Sequence, residues 1–180
     1  MTVDNNQFEC GIWDKGGGCR IPLALLETLP EYHRKTIPAD YQDIMGHMNI
    51  RWDFDLFARS GRKFFTSHGL DEDYFRGGNF GVFTLKQFIQ YFAEVRVGQT
   101  VAIHTRLIGR SDKRFHFMSF MINETTIQLA ATFEALITHA DLKIRRAAPM
   151  PSQIAQKFDG TLAKDAALDW EAPISGAMRL

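Results

Sequence analysis

Residues 43–49 read DIMGHMN, which places a carboxylate (Asp43), a glycine (Gly46), an imidazole (His47) and a carboxamide (Asn49) within seven positions. An aromatic-rich run, IRWDFDLFARSGRKFF, starts directly afterwards. A carboxylate can attack a carbonyl carbon or take a proton from water. An imidazole can polarise a carbonyl or shuttle a proton. If the aromatic run is a helix, its first turn adds unpaired N–H groups and the positive end of the helix dipole, where a developing oxyanion is stabilised. These residue types suit attack on a carbonyl, with Asp43 as nucleophile or general base and His47 as polariser or general acid. The backbone at Gly46 and Met48 would then lie beside the developing charge. Each position also has a structural reading. Asp43 can simply form a turn, His47 can fix the loop by bonding backbone, and Asn49 is a strong helix N-cap. A metal held by Asp43 and His47 lacks a clear third ligand, so no metal is expected.

The element that must position these groups is the run after them. Ile50, Phe54, Phe57, Gly61, Phe64 and His68 recur at steps of four and three, and Trp52, Leu56 and Phe65 widen the stripe. The spacing predicts a helix from about 49 to 68, capped by Asn49 and stopped at Gly69. Asp53 is expected to be exposed or paired with an arginine. So wide an apolar face needs a sheet around it. Before the motif, EYHRKTIP predicts a strand ended by Pro38. After it, GLDEDYFRGGNFG reads as a loop with one helical turn near 71–75. VFTLKQFIQYFAEV, TVAIHTRLIGR, KRFHFMSFMIN and TIQLAATFEALITHA then read as strands, separated by RVGQ, SD and NET. In the third of these, Phe115, Phe117, Ser119 and Met121 alternate with Arg114, His116, Met118 and Phe120, which sends the two sets to opposite faces. DLKIRRA can add an edge strand, PLALLETL a short helix or docking arm, and PMPSQIAQKF a short helix followed by a tail. There is no βαβ alternation. The order predicts an α+β chain with one curved antiparallel sheet of about five or six strands around the long helix.

Composition removes several classes of function. Lys and Arg together balance Asp and Glu, 21 against 21, so no general attraction to nucleic acid or anionic membranes is expected. No apolar run approaches the ~18 residues of a membrane span. MTVDNNQFEC has neither the basic nor the apolar region of a secretory signal, and a cytoplasmic location is expected. Cys10 and Cys19 have no further cysteine to complete a metal site, and two free thiols are the expectation.

The heptapeptide and the element order together resemble the hotdog-fold acyl-CoA thioesterases of the 4-hydroxybenzoyl-CoA thioesterase-like group. The shared signature is Asp-x-x-Gly-His-x-Asn, here Asp43, Gly46, His47 and Asn49. YFAEVRVGQTVAIHTRL, with Gly98 at the turn, is similar to the family's second and third strands. TFEALITHADLKIRRAAPMP is similar to a subgroup that includes betainyl-CoA thioesterases. The resemblance covers about 31–151, and the chain departs from it at three places. Ile50 and Asp53 stand where the motif often has Asn and Tyr, and Tyr41 replaces a frequent acidic residue.

The resemblance implies hydrolysis of a thioester to a free acid and coenzyme A, without a cofactor, in a homodimer or homotetramer whose groove lies between subunits. It implies Asp43, His47 and Asn49 as site residues, with Gly46 and Met48 supplying backbone donors. Two basic pairs, Lys113 with Arg114 and Arg145 with Arg146, are candidates for the coenzyme's phosphates. The organisation expected is an extension over 1–29, the hotdog domain over 30–150, and a helix and tail over 151–180. A non-catalytic acyl-CoA-binding or sensor module, or a hotdog hydratase or dehydratase, is the alternative. The acyl group is not legible.

Overall fold

The computed structural model describes residues 21–180. Cys10 and Cys19, and most of the expected N-terminal extension, lie outside the described residues. The elements run α1 (Leu23–Leu26), β1 (Glu31–Thr36), a 3-10 turn (Ala39–Tyr41), α2 (Ile50–Ser67), α3 (Glu72–Arg76), β2 (Phe80–Tyr91), β3 (Thr100–Arg110), β4 (Arg114–Asn123), β5 (Gln128–Asp141), β6 (Arg146–Ala147) and α4 (Ser152–Ala166). The strands form one antiparallel sheet in the order β1-β3-β4-β5-β2, with β6 paired to β5. Register shifts interrupt the pairings of β1, β2, β3 and β4, and such bulges bend and twist a sheet. The sheet curls into a half-barrel with α2 packed in its curve, as the sequence predicts.

The helix forms where its caps allow. Asn49 accepts a hydrogen bond from the Arg51 amide, and Gly69 takes a φ of +91° just past the end. Phe57, Phe64, Phe115, Phe117, Met121, Phe133 and Phe158 build the core between α2, the sheet and α4. Phe64 is fully buried, and its ring lies 5.3 to 5.8 Å from those of Tyr32, Phe65, Phe117 and Phe158. The alternation read along β4 is also present. Phe115, Phe117 and Met121 face α2, while Met118, Phe120 and Ile122 face the other side with Leu23 and Leu26 of α1.

Two expectations need correction. The buried face of α2 is Asp53, Leu56, Phe57, Ser60, Gly61 and Phe64, whereas Ile50 and Phe54 are exposed. The stripe is thus turned by roughly 60° from the one read in the sequence, at about 100° per residue. The turn brings Asp53, Leu56 and Ser60 toward the interior and leaves Ile50 and Phe54, apolar without being core, on the accessible side. The second is one of extent, since the C-terminal helix is longer than the short one read from PMPSQIAQKF and an irregular segment follows it. The 15-residue α4 packs Phe158 against Phe115 and His68, and the segment after it lies over the outer face of the sheet. Arg106 there donates to the carbonyls of Asp165 and Trp170, and Glu134 accepts from the Ser175 amide at 2.7 Å.

The outer strands are β1 and β2. Along β2, Phe83, Leu85, Phe88 and Tyr91 are exposed. Among the described helices none is long and apolar enough to cross a membrane.

Phe64→Ala should cost ~3–5 kcal/mol, because it empties the junction of α2, β4 and α4. A urea midpoint falling by the matching amount, with an unchanged slope, is the expected result. A loss below about 1 kcal/mol would show that this junction does not carry the core.

Candidate active site

Residues 42–48 fold back on themselves before α2 begins. Gln42 and Met48 form an antiparallel bridge, and the Asp43 amide donates to the His47 carbonyl at 2.9 Å. Gly46 turns the hairpin at a φ of +91°, a conformation that side chains resist. The hairpin is then tied to the sheet and to the turn before it. Met48 donates to the Val95 carbonyl at 2.7 Å, and Asn49 donates to Tyr41 at 2.9 Å. The Tyr41 ring stacks on Trp52 at 3.8 Å, which locks the first turn of α2 to the same loop.

This local fold brings Asp43 and His47 together. Asp43 Oδ1 accepts from the Met45 amide at 2.7 Å, and its Oδ2 lies 3.3 Å from His47 Nδ1. His47 Nδ1 is also 3.2 Å from the Met48 carbonyl. Both side chains line a cavity of about 370 Å³. Its other walls are the start of α2, with Asn49, Ile50 and Asp53, and the end of β2 with the segment after it, Tyr91 to Val95. That volume lies in the range of small-ligand sites.

The backbone donors differ from those expected. Met48's amide is occupied by Val95, and Gly46's amide points back to the Asp43 carbonyl at 3.3 Å, so neither is a free oxyanion donor. The reason is that the hairpin uses them to hold its own shape. The amides of His47 and Ile50, by contrast, donate to no acceptor among the described residues, and both residues line the cavity. Asn49 acts as the helix cap.

Asp53 is the residue that sequence reasoning placed wrongly. It is 7% exposed, forms no ion pair among the described residues, and lines the cavity one turn into α2. Burial pushes its carboxyl up to about 7, with its own backbone N–H and the nearby His47 pulling the other way. Across the cavity, burial raises the Tyr91 phenol, and the charge of Asp53 adds to that rise. The signal that could have found Asp53 was the departure itself, a carboxylate where the resembled motif has tyrosine. Glu94 also lines the cavity but is paired with Arg96 at 3.1 Å.

The strand histidines are packed elsewhere. His104 contacts the Leu29 carbonyl, His116 contacts Glu134, and His139 lies between the Tyr74 hydroxyl and the Ala148 carbonyl. Lys113, Arg114, Arg145 and Arg146 are also absent from the cavity wall. Tyr91 pairs with Ala131 on β5, whereas Arg114 pairs with Thr138 and Arg146 with Asp141. The seven steps from 131 to 138 span ~23 Å of strand, so the basic pairs stand at the other end of the sheet.

Comparisons with known proteins give the family and the fold. Residues 37–158 match the profile of the thioesterase-like superfamily, and the chain belongs to that family. A relative from Rhizobium meliloti (strain 1021), an L-carnitine dehydrogenase/betainyl-CoA thioesterase, is 26% identical over 168 residues, which is 90% of this chain and 32% of the relative. The chain therefore spans about a third of that protein's length. A betainyl-CoA thioesterase from Pseudomonas aeruginosa is 23% identical over 133 residues, 74% of this chain and 83% of the relative. A Staphylococcus aureus protein solved in complex with CoA superposes with a TM-score of 0.75 at 20% identity, covering 84% of this chain and 95% of that one. A 1,4-dihydroxy-2-naphthoyl-CoA thioesterase from Synechocystis gives 0.63 at 17% identity, covering 77% and 97%. These structures share the hotdog fold.

Asp53 generates a pH-dependent prediction. Its carboxyl holds a proton more tightly in the folded chain than in the unfolded one, where aspartate titrates near its ordinary 3.8. Its burial costs nothing below the unfolded value and carries the full penalty above the folded one. The contribution of this group to stability therefore falls as pH rises from about 4 to about 7. Asp53→Asn should match the native chain near pH ~4 and exceed it at pH ~8 by on the order of 2–3 kcal/mol. Urea midpoints at both pH values measure the difference, and an equal gap at the two would refute the assignment.

Proposed function

We propose that the chain is an acyl-CoA thioesterase, which hydrolyses a thioester to a carboxylic acid and coenzyme A. The observation that carries this reading is the Asp43–His47 pair, held on a locked hairpin in a cavity that the N-terminus of α2 also lines. In the reaction the carbonyl carbon gains an oxygen substituent and loses sulfur, and the carbonyl oxygen becomes negative on the way. The open amides of His47 and Ile50, with the helix dipole behind them, suit that oxygen. Asp43 supplies the carboxylate, by direct attack through a mixed anhydride or by taking a proton from water. A proton must reach the departing thiolate, and His47, beside Asp43, can deliver it. Lys113, Arg114, Arg145 and Arg146 stay the candidates for the coenzyme's phosphates at the far end of the sheet. The acyl group is read from the relatives' name. Betainyl is a trimethylammonioacetyl group, short and permanently cationic.

Asp43→Asn should fold normally and lose at least ~100-fold in turnover, the scale of a removed acid–base group. Release of free coenzyme A, followed with a thiol reagent, measures it. Turnover at the native rate would place the chemistry elsewhere. Binding of CoA esters by the native chain with no hydrolysis of any would favour the non-catalytic sensor.

We also infer a homodimer joined along β2. A strand running Phe80–Tyr91 at a sheet edge, with Phe83, Leu85 and Phe88 exposed, is a template for pairing. Tyr91 ends that strand and lines the cavity, so a partner on β2 would lie next to the site. Light scattering should give about twice 20.6 kDa, and Phe88→Asp should shift the mass toward the monomer. A native chain that stays monomeric at micromolar concentration contradicts this.

A further inference from the structure

We propose that Asp53 is the specificity-determining carboxylate of the acyl pocket, selecting short acyl groups that carry a fixed positive charge of the quaternary-ammonium class. The proposal rests on the thioesterase reading and assigns to Asp53 a role distinct from that of Asp43.

The argument starts from how this chain treats its other buried acids. Glu134 is fully buried, and it is held by His116 at 2.8 Å and by the Ser175 amide at 2.7 Å. Asp165 is 6% exposed, and it accepts the Leu107 amide at 2.7 Å. Asp53 is as buried as Asp165, yet it makes no hydrogen bond or ion pair with another side chain among the described residues. Its cause of perturbation is burial, answered only by its own backbone N–H and by His47. A buried carboxylate without a partner is unfavourable, and proteins rarely keep one without compensation. The open side of Asp53 is the cavity, so the compensation has to come from what enters it.

The walls say which chemistry fits. Among the described residues no lysine or arginine lines the cavity, whereas Asp43, Asp53 and Glu94 do. Around Asp53 the wall is otherwise apolar or aromatic, with Ile50, Tyr91, Phe92, Ala93 and Val95. An anionic acyl group would meet two carboxylates. A neutral one would strip the remaining water from Asp53 and return nothing. A quaternary ammonium has no proton to donate and needs no hydrogen-bond acceptor aimed at it. It takes stabilisation from a nearby carboxylate and from aromatic faces, which Asp53 and Tyr91 offer together. The depth agrees with a short chain. Asp53 lies one helical turn, ~5–6 Å, beyond the cap at Asn49, close to where a carbonyl held by the first turn would place its α-substituent.

The test compares two esters of the same shape and different charge, trimethylammonioacetyl-CoA and tert-butylacetyl-CoA. The intact chain should prefer the cationic ester by at least ~20-fold in kcat/KM, the scale of a buried charge contact. Asp53→Asn should lower that preference at least ~10-fold, mainly through KM for the cationic ester. This variant removes an uncompensated charge, so its folding is checked by the same urea curves that measure its stability. The preference of the native chain is read without any variant. Hydrolysis of both esters at equal efficiency overturns the proposal and leaves the thioesterase reading standing. A preference that survives in Asp53→Asn also overturns it, since the selectivity then resides elsewhere. An equal loss of kcat on both esters would make Asp53 part of the chemistry, and not of selection, and overturns it too. Hydrolysis of neither ester, nor of any other acyl-CoA, removes the thioesterase reading and the proposal with it.

Discussion

The structure depends on burying one face of α2 in the curl of the sheet while leaving the helix's first turn accessible. The two ends of the helix are treated differently. Phe57 and Phe64 are sealed among rings from β4, β5 and α4, whereas Ile50 and Phe54 near the start are exposed. A helix held only at one end would fray at the other. Here the start is held by backbone bonds together with the Tyr41–Trp52 stack. The Met48 amide on the Val95 carbonyl and the Asn49 amide on Tyr41 fix where the first turn begins. Those bonds consume the amides of Met48 and Asn49 and leave the neighbouring amides of His47 and Ile50 without an acceptor among the described residues. The geometry of the site is therefore a by-product of the anchoring, and both follow from Gly46 permitting so tight a hairpin.

Two carboxylates then share one cavity in contrasting environments. Asp43 accepts a backbone N–H and sits beside an imidazole, so its lone pairs are oriented. Among the described residues Asp53 has neither an amide from another residue nor a side-chain donor, and burial dominates it. Paired carboxylates set apart in this way commonly do different work.

Much of this was legible before any coordinates. The α2 span, its Asn49 cap and its Gly69 stop follow from local rules that operate within a few residues. So does the strand alternation of β4, because a period of two leaves little freedom. The hairpin motif could be read because its residues are contiguous. What escaped depended on distant parts of the chain. The rotation of α2 by about a sixth of a turn is decided by which strands it meets, and apolar residues at Ile50 and Phe54 pulled the inferred stripe toward a surface position. Asp53 moved from surface to interior with that rotation. The occupied Met48 amide depends on Val95, forty-seven positions away in sequence. Similarly, the segment after α4 reads as a tail because it is Ala-rich and has no regular period, yet Arg106, Glu134 and Trp170 bind it to the outer face of the sheet.

The position of Asp53 can also be weighed energetically. A tyrosine or leucine there would bury apolar surface at the mouth of the core and leave no charge to desolvate. The chain instead carries a carboxylate whose ionisation is opposed by its burial. That cost is confined to one end of α2. The aromatic cluster around Phe64 lies about three turns away, beyond direct contact with Asp53, and so it is free to supply the stability that the site gives up. Separation of this kind lets an unfavourable group persist in a well-packed fold. Ligand charge can then offset a penalty that the protein alone does not, and binding and proton release at Asp53 become coupled. The first turn of α2 thus combines firm backbone anchoring with a buried carboxylate, and the two properties are compatible because different atoms carry them.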